Sequence, residues 1–350
     1  MDRLRLERLW AQGLAHPSGR DVVSVVRRLL TVQAQDPRGA RLAIRARTVG
    51  ATTGDVDEAL DRGELVVSWL NRGTLHLVAT EDHWWLHSLT APRQLTGNRR
   101  RLHQEGVDDR QAKLGVEVVA TAVRERGPHT RDQLRVLLDE AGVPTAGQAL
   151  VHVLFAASLA GHLVRGPLVD GRHAFVDAIA WCGEPDDLDA ETASTRLARR
   201  YLEAHGPAAA EDLAKWAGVT LGVARQGFAG VADEVVDVGD GLVRLAAAEE
   251  PQGLPGPRLL GPFDPVLHGW ASREFVVGPH KGVVTTNGIF RASVLVDGRV
   301  VGLWSLTRDG VEVRALEPIH RAVVPQLAAE AADVERFLER EPTGHLTVAG

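Results

Sequence analysis

Gln33 and Gln35 are the first residues in this chain whose type and position suggest chemistry. Val22, Val23, Val25, Val26, Leu29 and Leu30 form the apolar stripe of a helix. The next place on that stripe, four residues after Leu29 and three after Leu30, is Gln33. A primary amide on an inward face must find hydrogen-bond partners or have a task, because burying it unpaired is costly. Gln35 cannot share that face while the chain stays helical, since residues i and i+2 point to different sides of a helix. Pro37, however, disfavours helical backbone at Asp36. With the helix ended, extended backbone places Gln33 and Gln35 on one side and turns the small Ala34 away. Two amides side by side can accept from a water molecule and donate to it. Spacing alone is equally met by one helix-capping and one solvent-facing glutamine.

Other chemistry lacks its usual supports. The sequence has no P-loop, no GxGxxG behind a strand, no GxSxG elbow and no HExxH. His83 and His87 stand at helical i, i+4 spacing with His76 nearby, a possible metal face. Trp84 and Trp85 between them favour a packing helix, so no metal and no cofactor are expected. The single cysteine, Cys182, excludes an internal disulfide and fits a reducing cytoplasm. No stretch has the length of a membrane span, and the first ten residues lack a signal-peptide apolar core.

The charge balance is uneven along the chain. Lys plus Arg number 40 against 46 Asp plus Glu, a formal charge of −6. Lysine occurs only at 113, 215 and 281. The first 50 residues hold 10 Arg and 4 acids, a local +6, leaving −12 for the other 300. An acidic body with one basic face can still dock on a polyanion, because the local field decides where it lands.

The elements that must position the glutamines come in repeats. Arg126-Gly127-Pro128 leads into Asp132-Gln133-Leu134 and Ala141-Gly142-Val143; His205-Gly206-Pro207 leads into Glu211-Asp212-Leu213 and Ala217-Gly218-Val219. After each comes another helical pattern (148–159, 221–229) and a β-pair turning at Asp170-Gly171 or Asp240-Gly241. That order is the order of a winged helix. A looser copy precedes them, with helices over 22–30, 38–48 and 56–60 and strands over 65–70 and 74–79. Beyond the proline-rich stretch 251–265, strands are predicted at 274–277, 282–286, 291–296, 299–306 and 311–316, then a helix over 319–338. The expected class is α+β: three tandem winged helices (1–105, 106–185, 186–250) and a small antiparallel β-barrel or sheet with a closing helix (251–350). The third helices of the second and third units carry few groups able to read bases, which makes them scaffold.

Gln33-Ala34-Gln35-Asp36, followed by the arginine-rich segment 38–47, resembles the Gln-apolar-Gln motif of the AlkZ/YcaQ superfamily of bacterial winged-helix DNA glycosylases. So do Trp69-Leu70-Asn71-Arg72-Gly73-Thr74-Leu75-His76-Leu77-Val78, Leu259-Leu260-Gly261-Pro262-Phe263-Asp264-Pro265, and the stretch 294–304 ending in Gly302-Leu303-Trp304. These matches span nearly the whole chain in the right order. The resemblance implies tandem winged helices and a β-barrel in a C shape around a DNA channel. It implies excision of N-alkylated purines, in some members with unhooking of interstrand crosslinks. One branch carries Gln-x-Asp and the other Gln-x-Gln; Gln33 and Gln35 place this chain in the second, which is associated with resistance to DNA-alkylating antibiotics. Asp36 lies one position off the aspartate of the first branch.

On this resemblance Gln33 and Gln35 are the expected catalytic residues of a monofunctional glycosylase, monomeric and cytoplasmic, acting on double-stranded DNA with alkylated purines. No lysine lies near the motif to form a Schiff base. Arg38, Arg41 and Arg45, on one face of a helix, are the expected phosphate contacts. Arg99 and Arg100 are expected on a loop that tracks the DNA backbone, and His280 and Lys281 at a hairpin tip pressed into a groove. Arg72, Thr74 and His76 share one side of a predicted strand, with Arg72 and His76 facing the glutamines or DNA. Trp69 suits either packing or stacking and is expected to pack. The competing reading is a non-catalytic winged-helix DNA-binding or regulatory protein.

Overall fold

The computed structural model describes every residue except 1, 2, 18, 20, 186, 254 and 350. The chain divides into two compact units. One comprises Met1–Val56, Ser194–Trp216 and Thr220–Gly350; the other comprises Asp57–Ala193 and Ala217–Val219. These units do not coincide with the four expected segments, and the first of those segments is divided at Val56.

In the second unit, strands run in the order Thr74–Ala79, Leu65–Leu70, Leu163–Val169, Arg172–Asp177, all antiparallel neighbours. The two hairpins turn where the sequence placed them: Asn71 and Asp170 adopt the left-handed backbone that Asn and Asp tolerate, each followed within two residues by a glycine of positive φ. Helices Asp109–Arg126 and Arg131–Glu140 both start with a capping box, Asp108 with Gln111 and Thr130 with Gln133. They pack with Ala149–Leu159 around Leu134, Leu138, Leu150, Val153 and Leu154. Trp69 stacks on Phe155 and Phe175 at 5.4 and 6.4 Å, with the Arg165 guanidinium over its ring. It is a packing residue.

The first unit holds an open five-stranded sheet in the order Leu346–Ala349, Val311–Ala315, Arg299–Leu306, Ser293–Val296, Arg258–Leu260. Its edge pair, Val311–Ala315 with Leu346–Ala349, is parallel. Of the expected antiparallel barrel or sheet, the structure has an open sheet, and its edge pair departs from the antiparallel pattern. Two predicted strands also differ. Residues 274–277 form the short helix Glu274–Val277, ended by Gly278 at φ 58°. Residues 281–283 form a 3₁₀ turn, followed by a bridge between Val284 and Phe290. The β-branched residues here read as strand, but the flanking Gly278-Pro279 and Gly282 punctuate them. Strand Arg258–Leu260 lies inside the proline-rich stretch that reads as linker.

The two sequence repeats give the same local pairings. His129, directly after the first Gly-Pro, bridges Phe175 in the second strand of its hairpin. Ala208, directly after the second, bridges Val243 in the hairpin Val235–Gly239 and Leu242–Leu245. Helix Ala149–Leu159 is largely buried, and Arg225 on helix Leu221–Gly230 is paired with Glu211. Among the described residues, no helix is long and apolar enough to cross a membrane.

Candidate active site

The glutamine motif sits between two helices that its own residues help to define. Helix Val22–Leu29 stops earlier than the apolar stripe suggests, because Leu30 adopts φ 65°, ψ −52°. Thr31 N donates to Leu29 O at 2.8 Å across it, which makes Leu30 the centre of a γ-turn of the rare, strained hand. The turn throws Val32–Gln33 into extended backbone. Helix Pro37–Arg45 then begins with Pro37 in its first turn and with Asp36 as N-cap, Oδ1 accepting from Gly39 N at 2.9 Å. The cap gives Asp36 a structural task.

Gln33 and Gln35 consequently lie on one side. Gln33 Nε2 donates to Gln35 Oε1 at 2.6 Å. Gln33 is buried, 4% exposed, whereas Gln35 is exposed. The inner amide thus holds the outer one, whose carbonyl oxygen keeps further accepting capacity toward solvent.

The stretch Leu260–Pro265 clamps the start of this helix. Gly39 and Gly261 allow the two backbones to touch: a Cβ on Gly39 would lie 2.4 Å from Pro262 O, and one on Gly261 would lie 2.7 Å from Leu42 Cβ. Below them Arg47 forks onto Asp264, both bonds 2.9 Å, with both side chains buried. Arg47 also donates to Gln12 O, Gln12 Oε1 and Ala43 O. The buried Arg47–Asp264 pair gives the Leu259–Pro265 motif a physical meaning.

Not every predicted DNA contact faces solvent. Arg38 is exposed and Arg41 half-buried, with Arg41 Nη1 donating to Pro37 O at 3.2 Å. Burial lowers the Arg38 pKa from its ordinary value, with Asp36 opposing that shift. Arg45 is different. It is 2% exposed, bonded to Glu330 Oε2 at 2.8 Å, Asp333 Oδ2 at 3.1 Å and Leu259 O at 2.9 Å. Its face of the helix turns toward Val324–Phe337, so Arg45 anchors the helix and is unavailable to phosphate.

Arg72 lies in the exposed turn before strand Thr74–Ala79, not on the strand. His76 is buried with Nδ1 2.9 Å from Thr74 O, which removes it from the set of surface contacts. Arg99 and Arg100 are exposed on helix Pro92–Gln104, where a loop was expected. Arg99 pairs with Asp109, whose carboxyl is held down at about 2 by hydrogen bonds from Arg99 and His103. His280 Nε2 lies 2.7 Å from Glu317 Oε1, and Lys281 is exposed on the 3₁₀ turn. The true hairpin tip follows them at 285–289, closed by Thr285 N to Ile289 O at 2.9 Å, with Ile289 50% exposed. His83 and His87, the candidate metal face, instead bond Ser68 Oγ and Ser158 O in the packed interior. Burial drives the His83 imidazole down to about 3.

A family profile described as DNA glycosylase AlkZ-like matches residues 26–337. The interstrand DNA cross-link repair glycosylase of Streptomyces sahachiroi is 28% identical over 357 residues, spanning 95% of this chain and 94% of that protein. The solved structure of the S. sahachiroi DNA glycosylase AlkZ superposes with a TM-score of 0.82 at 26% identity, covering 99% of this chain and 98% of that one. With the profile running from the helix that precedes the glutamine pair to the helix that Arg45 grips, the chain belongs to the AlkZ-like DNA glycosylase family.

Proposed function

We propose that the protein is a monofunctional DNA glycosylase that hydrolyses the N-glycosidic bond of N7-alkylated purines in double-stranded DNA, including bulky adducts and interstrand crosslinks. The observation that carries the reading is the 2.6 Å bond from buried Gln33 to exposed Gln35. An N7-alkylated purine is a cation and departs from C1′ without a strong general acid. What remains is to place a water at C1′ and to stabilise the positive sugar. Gln35 Oε1, polarised by the Gln33 amide, accepts from that water and turns its negative dipole end toward C1′. As the water oxygen bonds to C1′, the C1′–N9 bond breaks. Its electron pair neutralises the purine, and the water proton passes to solvent. Gln35 is the catalytic residue and Gln33 positions it.

The helix and hairpin repeats, read as winged helices, serve as scaffold for this motif. Phosphate contacts come from Arg38, Arg41, Arg72, Arg99, Arg100 and Lys281, while the 285–289 tip presses into a groove. A monomer acting at the nucleoid fits this reading, and so does self-resistance to a DNA-alkylating natural product, given the cross-link repair named for the S. sahachiroi relative. The test is single-turnover release of base from a duplex carrying one N7-alkylguanine. Gln35→Ala and Gln33→Ala should each slow release by on the order of 10² or more. A double alanine variant with full activity would refute the mechanism.

A further inference from the structure

Backbone strain in this chain gathers beside the glutamine pair. Among the described residues, seven non-glycine positions have positive φ: Leu30, Asn71, Asp170, Asp240, Phe263, Asp297 and Glu339. Four are Asn or Asp in hairpin turns, where the left-handed conformation is ordinary. Glu339 follows helix Val324–Phe337, a usual place for such a residue. Leu30 and Phe263 remain. Leu30 turns the chain into the Gln motif, and Phe263 sits in the loop clamped onto Gly39.

Gly261-Pro262-Phe263-Asp264 is a β-turn closed by Asp264 N to Gly261 O at 3.3 Å. Proline at its second position and positive φ at its third, 57° at Phe263, are the marks of a type II turn, whose third position favours glycine. A phenylalanine there is strained by its backbone. Anchors on both sides fix that ring in place. Pro262 O presses on Gly39 and the Asp264 carboxylate is locked to Arg47. Gly39 is bonded to Asp36, the neighbour of Gln35. The ring is half-buried, 5.7 Å from the Phe290 ring, which ends the 284–290 hairpin and carries the Arg273 guanidinium on its face. Strain held at a fixed, partly exposed aromatic, in the turn that packs on the first turn of the helix following Gln35, is the pattern of a functional residue.

We infer that Phe263 is a stacking residue of the glycosylase site, its exposed ring face packing on the alkylated purine while Gln35 addresses C1′. The inference rests on the proposed glycosylase activity and extends it to recognition of the base. An aromatic face suits this ligand doubly, since it stacks on the planar purine and attracts its positive charge.

The experiment compares wild type with Phe263→Leu, Phe263→Gly and Phe263→Tyr. Affinity is measured for three duplexes: undamaged, containing N7-methylguanine, and containing a tetrahydrofuran abasic analogue that has a sugar but no base. Leu keeps the apolar bulk against Phe290, and Gly relieves the turn. Both should retain a melting temperature near wild type and lose roughly tenfold to a hundredfold in affinity for the methylguanine duplex, the worth of one base stacked on one ring. Binding of the other two duplexes should stay unchanged, and Tyr should restore the loss. Equal weakening on all three duplexes, or no loss with Leu and Gly, would overturn the inference. A wild type that releases no base, combined with a selective binding loss in the variants, would leave the stacking role standing and reject the glycosylase reading.

Discussion

The Arg47–Asp264 pair is the anchor most exposed to a decisive test. Asp264 is fully buried and accepts three bonds, two from Arg47 at 2.9 Å and one from Val266 N at 3.0 Å. Arg47 is 2% exposed and also donates to Gln12 O, Gln12 Oε1 and Ala43 O. Asp264→Ala removes the carboxylate that this buried guanidinium forks onto, and Val266 N loses its acceptor. Breaking a buried pair from one side costs about 3–5 kcal/mol. At roughly 2–4 °C per kcal/mol for a unit of this size, the expected fall in melting temperature is roughly 6–20 °C. Below the new transition, base release should also slow, because Pro262 and Phe263 lose the lock that holds them against Gly39.

A paired control separates charge from packing. Replacing both partners with apolar residues, Arg47→Met with Asp264→Leu, removes both buried charges, and such exchanges cost little or even stabilise. The double variant should regain most of the lost melting temperature without regaining the geometry of the Gly261–Asp264 turn, so stability returns and base release does not. Thermal unfolding followed by calorimetry and single-turnover release on the same preparations give both readouts. A fall of less than about 3 °C for Asp264→Ala, or a double variant less stable than the single one, would refute the reasoning.

Two further outcomes follow from burial. Arg100→Gln should reduce the slope of log affinity against log salt by about 0.9, one phosphate contact, whereas Arg45→Gln should leave the slope unchanged and lower the melting temperature; a slope change with Arg45→Gln would reverse the assignment of Arg45 to the interior. His205 is buried, and desolvation brings its pKa from 6.5 to about 3, so below pH 6.5 the unfolded chain takes up a proton that the folded chain refuses. Stability attributable to this group is complete above 6.5 and is lost as pH falls toward 3. His205→Phe should flatten the melting-temperature decline over that window, and an unchanged decline would show that other groups govern it.

Much of the site was legible because its signals are local. A polar break in an apolar stripe and a proline four residues after Gln33 point to two amides on one side of an extended segment, and Gln33 and Gln35 do bond to each other, although the helix ends at Leu29 and not at Asp36. Asn71–Gly73, Asp170-Gly171 and Asp240-Gly241 fix three hairpins by turn chemistry alone. What the sequence hid is non-local. Arg45 reads as a surface cation because helical spacing says nothing of Glu330 and Asp333, which lie nearly 300 residues away along the chain. His76 alternates correctly along its strand, yet alternation does not tell which face meets protein. Leu30 and Phe263 carry no signal at all, since a strained φ at an ordinary residue type is imposed by the surroundings rather than by its own preference.

The buried arginines also change what the charge distribution means. Arg8, Arg45 and Arg47 belong to the basic first 50 residues, yet all three are buried. Arg8 donates to Pro207 O and lies over the Trp270 and Phe275 rings; Arg45 and Arg47 fork onto carboxylates and carbonyls. Such planar, many-partnered contacts suit arginine and not lysine, whose ammonium is a strongly hydrated point charge. Part of the arginine excess is thus architecture that holds the motif in register, and of the arginines on helix Pro37–Arg45 only Arg38 and Arg41 reach the surface. The burial of Arg45 suits the cationic lesion proposed as substrate. On the proposed mechanism, a dense positive surface at the reacting bond would repel both an alkylated purine and the positive sugar that forms as it leaves, whereas two neutral amides would offer a negative dipole end there and leave phosphate contact to flanking side chains.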